Sequence, residues 1–229
     1  MLNITFLGHS CFTLDDDKHK VIIDPFLSGN PLAQVKPEDV KVNAILLTHG
    51  HGDHLGDAIE IAKANNATIV APFELAMHCQ AQDCIVHPMH IGGSHDFEFG
   101  RVTLTIAHHG SGLPDDKGNI AYLGNPCGFV LRMDNKSVYH AGDTGLFYDM
   151  KLIGELYPLD LALLPIGSNF TMGIMEALKA VELLSPKMVI PMHYNTFDVI
   201  EQNPQDFVSR LPGAVEGKIL EVGQSHELP

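Results

Sequence analysis

The sequence predicts an α/β fold in which two similar sheet-plus-helix halves pack face to face. Three observations carry that expectation. Short apolar runs of strand length alternate with segments of helical periodicity, the pattern of strands buried under helices. The order hairpin, Asp, apolar strand, helix, apolar strand, Pro occurs twice: Asp24 to Pro72 spans 72 − 24 = 48 positions, and Asp143 to Pro191 spans 191 − 143 = 48. In both halves, residues able to bind a metal follow corresponding strands. The expectation is one domain over residues 1–229, with one site at the rim between two sheets.

Taken in order, residues 2–7 alternate as a strand and Gly8-His9-Ser10 turns. Cys11 to Leu14 and Lys20 to Ile23 form a hairpin around the polar run Asp15 to His19, and Asp24-Pro25 ends it. Pro31 to Val42 reads as a loop. Ala44 to Thr48 is a short strand, and Leu55 to Asn65 a helix with Leu55, Ala58, Ile59 and Ala62 on one face. A strand at Thr68 to Ala71 and a short helix near Phe73 to Gln80 follow. Ile85 to Phe99 carries short strands broken by Gly92-Gly93, and Val102, Leu104 and Ile106 mark one face of the next strand. Ser111 to Lys117 reads as a polar loop. Strands are expected at Ile120 to Leu123, Phe129 to Met133, Ser137 to His140, Leu161 to Leu164 and Met188 to Ile190. Helices are expected at Leu146 to Leu156 and Met172 to Leu184, with Pro158 and Pro186 marking their ends. Asn203-Pro204 starts a last helix through Arg210, and Lys218 to Val222 is read as the final strand.

Composition limits the function classes. A hydrophobic fraction of 45% supplies a buried core and excludes a disordered chain. The formal net charge of -14 speaks against binding nucleic acid through a broad basic surface. Cys11, Cys79, Cys84 and Cys127 form no C-x-x-C pair and read as free thiols in a reducing compartment. The start lacks a basic segment followed by a long apolar core, and no apolar run nears the ~20 residues of a membrane helix. A soluble, cytoplasmic protein is expected. Its partner is a small-molecule substrate, with no nucleic acid and no membrane; self-association is left open.

The chemistry concentrates in Thr48-His49-Gly50-His51-Gly52-Asp53-His54. Imidazole and carboxylate are good zinc ligands and also suit iron and manganese. Gly50 and Gly52 let a tight loop fold those ligands onto one centre. In an extended loop His49 and His51 point the same way, so they can grip one ion while Asp53 and His54 turn toward a second. Further candidates each follow a strand: His108-His109, Asp143 and His193. Strand periodicity separates His108 from His109 without saying which faces the site, and Gly110 favours His109 by freeing the chain to turn there. His9 is weighed evenly between a role near the site and a local turn. Tyr194 and Asn195, next to His193, are weighed between substrate contact and loop packing. His19, His78, His87, His90, His95 and His140 are read as structural or exposed.

The pattern Asp24, His49-x-His51-x-Asp53-His54, His109, Asp143, His193 resembles the metallo-β-lactamase superfamily along nearly the whole chain. Gly8-His9-Ser10 is similar to the branch of stand-alone metal-dependent hydrolases that includes ascorbate-6-phosphate lactonase-like proteins. The resemblance implies a four-layer αββα sandwich and two divalent metal ions, zinc first, with manganese or iron as alternatives. It implies that His49, His51 and His109 hold one ion, that Asp53, His54 and His193 hold the other, and that Asp143 bridges them. Asp24 would orient ligands from behind. A hydroxide held between the ions would attack a small ester, lactone or phosphoester, with Asp53 and Asp143 as the catalytic carboxylates and Asp53 handling the proton. Four alternatives are weaker. Nucleic-acid processing meets the acidic charge. Diiron redox proteins carry Glu where His51 stands. A purely structural zinc site would be closed and four-coordinate. Serine hydrolysis would need a Gly-x-Ser-x-Gly elbow, which the chain lacks.

Overall fold

The computed structural model describes residues 1–228. The first half contributes β1 (Leu2–Gly8), β2 (Cys11–Asp15), β3 (Lys20–Ile23), β4 (Ala44–Leu46), α1 (Gly52–Leu55), α2 (Ala58–Asn65), β5 (Thr68–Pro72), α3 (Phe73–Gln80) and β6 (Val86–Met89). Next come β7 (Ser94–Phe97), β8 (Gly100–Ile106), β9 (Gly112–Pro114), β10 (Ile120–Tyr122), β11 (Cys127–Met133) and β12 (Lys136–His140). The chain ends with α4 (Met150–Leu156), β13 (Leu161–Pro165), α5 (Ile174–Leu184), β14 (Met188–Met192), α6 (Pro204–Val208), β15 (Glu216–Gly217) and β16 (Ser225–Leu228).

Two seven-stranded sheets result, ordered β16-β1-β2-β3-β4-β5-β6 and β15-β14-β13-β12-β11-β8-β7. The pairing repeats from one sheet to the other. In the first, β16-β1, β1-β2 and β2-β3 are antiparallel and β3-β4, β4-β5 and β5-β6 are parallel. In the second, β7-β8, β8-β11 and β11-β12 are antiparallel and β12-β13, β13-β14 and β14-β15 are parallel. Two antiparallel steps restore direction, so β1, β3 and β4 all run toward one rim of their sheet. By the same count β8, β12, β13 and β14 run toward one rim of theirs. Every metal-binding candidate in the sequence follows one of these strands.

Side-chain alternation builds the layers. Val21, Ile23, Ala44, Leu46, Leu161 and Leu163 point into the core between the sheets. Ile22, Ile45 and Leu47 point the other way, under the helices of the first half. Ala162 and Leu164 do the same under α4 to α6. Each fully buried Leu, Ile or Phe adds roughly 1.5–3 kcal/mol against exposure. The architecture is therefore the αββα sandwich expected, with helices on both outer faces.

Four elements depart from the sequence reading. The helix expected over Leu55 to Asn65 breaks into α1 and α2 at Gly56, whose φ is +43 and where an added Cβ would run into the Pro25 carbonyl. Periodicity cannot register that close approach. The polar loop after Ser111 contains β9, paired with β10 as a separate ribbon. The helix expected from Leu146 forms only from Met150. The strand expected at Lys218 to Val222 is absent. Instead β15 pairs with β14, Leu220 is buried between the sheets, Gly223 turns at φ +86, and β16 pairs with β1. The segment has strand composition because Leu220 fills the apolar core and Lys218 N–H still bonds the Val189 carbonyl, but beyond Lys218 it leaves the ladder.

Candidate metal centre

The site is built from strand ends. His49, His51, Asp53 and His54 follow β4, and α1 begins at Gly52, so one helical turn gathers the last two beside the first two. His109 comes from beyond β8, Asp143 from beyond β12 and His193 from beyond β14. His9, in the turn after β1, joins them. Three close donor groups result: His49, His51 and His109; His49, His54 and Asp143; and His9, Asp53, His54 and His193.

Outer partners fix which nitrogen faces inward. Thr48 Oγ1 donates to Asp24 Oδ2 at 2.6 Å, which uses its only proton. It must therefore accept from His49 Nδ1, 2.9 Å away, leaving the His49 Nε2 lone pair turned to the centre. Asp24 Oδ2 also lies 2.7 Å from His54 Nδ1, and Asp24 Oδ1 accepts the Thr48 N–H at 2.8 Å. One buried carboxylate thus orients two rings from behind, the arrangement metal-bound imidazoles need.

The inward atoms crowd together. His51 Nδ1 lies 2.9 Å from His49 Nε2 and 3.2 Å from His109 Nε2. Nitrogens sharing one ion at bonds of 2.0–2.1 Å sit ~3.3 Å apart. Asp143 lies 3.3 Å from His54 Nε2, 3.5 Å from His109 Nε2 and 2.9 Å from His193 Nε2. Yet His54 Nε2, Asp143 Oδ1 and both ring nitrogens of His193 are buried with no hydrogen-bond partner. Buried polar atoms left so are costly. A cation between them would satisfy His54 Nε2, Asp143 Oδ1 and His193 Nε2, so the residues fit divalent metal ions.

The electrostatics agree. Burial holds His49, His51 and His109 below the ordinary imidazole range, which keeps them in the neutral form that binds metal. At His54 burial opposes the cation, but Asp143 and Asp24 together raise it well above that range, so this spot favours positive charge. Burial likewise opposes ionised Asp143, yet His54 and His193 hold it well below the usual carboxylate range. Burial works against ionised Asp53 too, and the His9 hydrogen bond with the charge of His54 overcomes it.

The remaining sequence candidates separate. His9 is buried, with Nε2 3.1 Å from Asp53 Oδ2 and Nδ1 2.9 Å from Thr196 Oγ1; burial pushes it down to about 4. His108 is exposed and tilts against Phe147 at 5.1 Å, away from the other rings. Tyr194 packs on the core under α5 and α6, and Asn195 accepts the Gln202 N–H at 2.7 Å. His140 is buried and structural: its Nε2 donates to the Ser10 carbonyl at 2.9 Å. Sequence reasoning missed Thr48, Thr196 and Phe170. Thr48 directly precedes the His run, which could have marked it; the other two carry no local signal. A cavity of about 210 Å³ opens over the centre, lined by His51, Asp53, His109, Asp143, Phe170 and His193.

Comparison with known proteins places this geometry. Residues 19–194 match the model of the beta-lactamase superfamily domain. The chain is 56% identical over 227 residues to a UPF0173 metal-dependent hydrolase of Bacillus licheniformis, covering 99% of each. Among solved structures it resembles Igni18, a metallo hydrolase from the archaeon Ignicoccus hospitalis, with TM-score 0.89 and 36% identity over 100% of this chain and 99% of that one. The metallo-beta-lactamase fold protein YhfI from Bacillus subtilis, 13% identical, shares the fold alone, with TM-score 0.70 over 99% of this chain and 100% of that one.

Proposed function

The chain belongs to the metallo-β-lactamase superfamily, among its UPF0173 metal-dependent hydrolases, and on that premise we propose that it hydrolyses a small ester, lactone or phosphoester with two divalent ions. The observation that carries the reading is the set of buried, unpartnered inward atoms on His54, Asp143 and His193 beside the three-nitrogen cluster of His49, His51 and His109. One ion would be held by His49, His51 and His109, the other by Asp53, His54 and His193, with Asp143 between them. Bound there, zinc, manganese or iron would polarise the scissile group and lower the pKa of an attacking water.

The chain's own residues do the rest. Asp24 and Thr48 hold His49 and His54 in the tautomers that present Nε2. Of the two carboxylates lining the cavity, Asp53 is the more exposed, with its side chain 29% exposed against 2% for Asp143, so it takes the proton released as water attacks. Asp143, almost fully buried, keeps its charge between the rings. Phe170, 54% exposed, flanks the cavity and gives an apolar part of the substrate a surface. No Lys or Arg is among the cavity-lining residues, which favours an uncharged ester or lactone over a phosphoester. The net charge of -14 supports a small substrate over nucleic acid. Among the described residues no helix is long and apolar enough to cross a membrane.

The test is metal analysis of protein purified without chelator, followed by turnover on carboxylic esters, lactones, phosphodiesters and duplex DNA. Two ions per chain with ester or lactone turnover support the reading. One ion at saturation, or a preference for DNA, overturns it.

A further inference from the structure

We propose that His9 is itself a ligand of the second ion, completing a three-imidazole set with His54 and His193 that mirrors His49, His51 and His109. The inference rests on the two-ion reading above.

The two sets have comparable dimensions. Ring centroids of His49, His51 and His109 lie 4.6, 5.0 and 5.0 Å apart. Those of His9, His54 and His193 lie 4.1, 5.5 and 5.8 Å apart. One donor atom from each of His9, Asp53, His54 and His193 falls within 4.8 Å of all the others. The His9 side chain is fully buried, and its Nε2 approaches a carboxylate oxygen at 3.1 Å. His193 Nε2 approaches Asp143 in the same way at 2.9 Å.

The outward side of the ring repeats a device already seen. Behind His49 Nδ1 stands the Thr48 hydroxyl at 2.9 Å; behind His9 Nδ1 stands the Thr196 hydroxyl at 2.9 Å. With Nδ1 donating to Thr196, as His49 does to Thr48, the His9 Nε2 lone pair is free for a metal; the opposite tautomer donates Nε2–H to Asp53 Oδ2 at 3.1 Å, and nitrogen-15 NMR separates the two.

The backbone points the same way. His9 and His193 both adopt left-handed conformations, with φ +57 and +55. That conformation costs a non-glycine residue roughly 1–3 kcal/mol. A turn alone would be better served by Gly or Asn at position 9. The His193 N–H donates to the His9 carbonyl at 2.8 Å, so the two strained residues are locked as a pair with their rings together.

The experiment is nitrogen-15 NMR of histidine-labelled wild-type protein loaded with cadmium-113. Each ring nitrogen bonded to the metal shows a scalar coupling to it. The expected result is such a coupling at His9 Nε2, assigned by its loss in His9→Asn, a substitution that suits the left-handed backbone. Cadmium titration of His9→Asn should weaken the second ion at least about tenfold and leave the first within twofold. Thr196→Val removes the hydroxyl at His9 Nδ1 and should shift the Nδ1 resonance of the coupled ring alone, which assigns the coupling if His9→Asn does not fold. Two bound ions with an uncoupled His9 ring would overturn this inference alone. A single bound ion in the wild type would overturn both it and the two-ion reading.

Discussion

Asp24→Asn tests the idea that one buried carboxylate sets both tautomers. The change keeps size and suits the left-handed backbone at φ +46. Oδ2 of Asp24 serves two donors, Thr48 Oγ1 at 2.6 Å and His54 Nδ1 at 2.7 Å, while Oδ1 serves the Thr48 N–H at 2.8 Å. An amide has only one oxygen. If it takes the Oδ2 position, its NH2 meets the Thr48 N–H, donor against donor. If it takes the Oδ1 position, its NH2 faces His54, whose Nδ1 must then accept and whose proton moves to Nε2, the metal-facing atom. The first outcome leaves a buried donor unsatisfied, costing about 1–3 kcal/mol of stability. The second withdraws a ligand. Loss of an outer partner typically weakens metal binding 10–100-fold, about 1.4–2.7 kcal/mol. The assay is competition with a chromophoric chelator, with urea denaturation of the metal-free protein alongside. A folded Asp24→Asn protein that binds both ions within twofold of wild type would refute the reasoning.

Asp143→Asn should lower kcat/KM more than about a hundredfold while circular dichroism stays native, because an amide lacks the charge to sit between two cations. Substituting the adjacent histidines separates them: His109→Ala should lose one ion and nearly all turnover, whereas His108→Ala should retain both ions, as elemental analysis will read. Asp160→Asn tests the far end of the second sheet, where Asp160 accepts from Lys187 Nζ at 2.8 Å and the Ser137 N–H at 2.9 Å. Burial opposes its ionisation, but those bonds hold its folded-state pKa below the unfolded value, so its stabilisation is present above the unfolded pKa and fades as acid is added. Urea unfolding should show a gap of about 1 kcal/mol between wild type and variant at pH 7 that narrows below about pH 4.

How much the sequence revealed follows from which signals are local. The unbroken apolar run Ala44 to Leu47 shows a strand buried on both faces, as it is: Ala44 and Leu46 lie between the sheets, Ile45 and Leu47 under the helices. The candidate ligands announce themselves by residue type at strand ends. What stays hidden depends on contacts across the fold. Gly56 breaks a helix because Pro25, distant in sequence, crowds it. Thr196 matters only because His9 folds against it from the opposite end of the chain. Leu220 reads as strand because burial and strand pairing leave the same composition, and the turn at Gly223 decides between them.

The internal repeat explains why two carboxylates at matching positions do different work. Asp24 and Asp143 lie 143 − 24 = 119 positions apart, as Pro72 and Pro191 do at 191 − 72 = 119. Asp24 follows the last residue of β3 directly and bends back, its N–H donating to the Leu46 carbonyl at 3.0 Å. It therefore ends up behind His54. Asp143 follows β12 only after Ala141 and Gly142, and those two residues carry it past the rim into the ring cluster. Gly142 makes this route at φ +62, wedged between its own sheet and the other half: an added Cβ would sit 2.6 Å from the Cys127 carbonyl of β11 and 3.1 Å from the Thr48 side chain. Thr48 is the hydroxyl that orients His49, so the Asp143 loop and the orienting residue meet at this glycine. Gly142→Ala should therefore cost about 1–2 kcal/mol for the left-handed backbone alone, and more for the crowding. It should also weaken binding of both ions, because Asp143 and Thr48 move together. Titration with zinc and thermal denaturation measure the two effects separately. A variant that loses stability but binds both ions as tightly as wild type would show that the loop's position, unlike its backbone strain, does not depend on this contact.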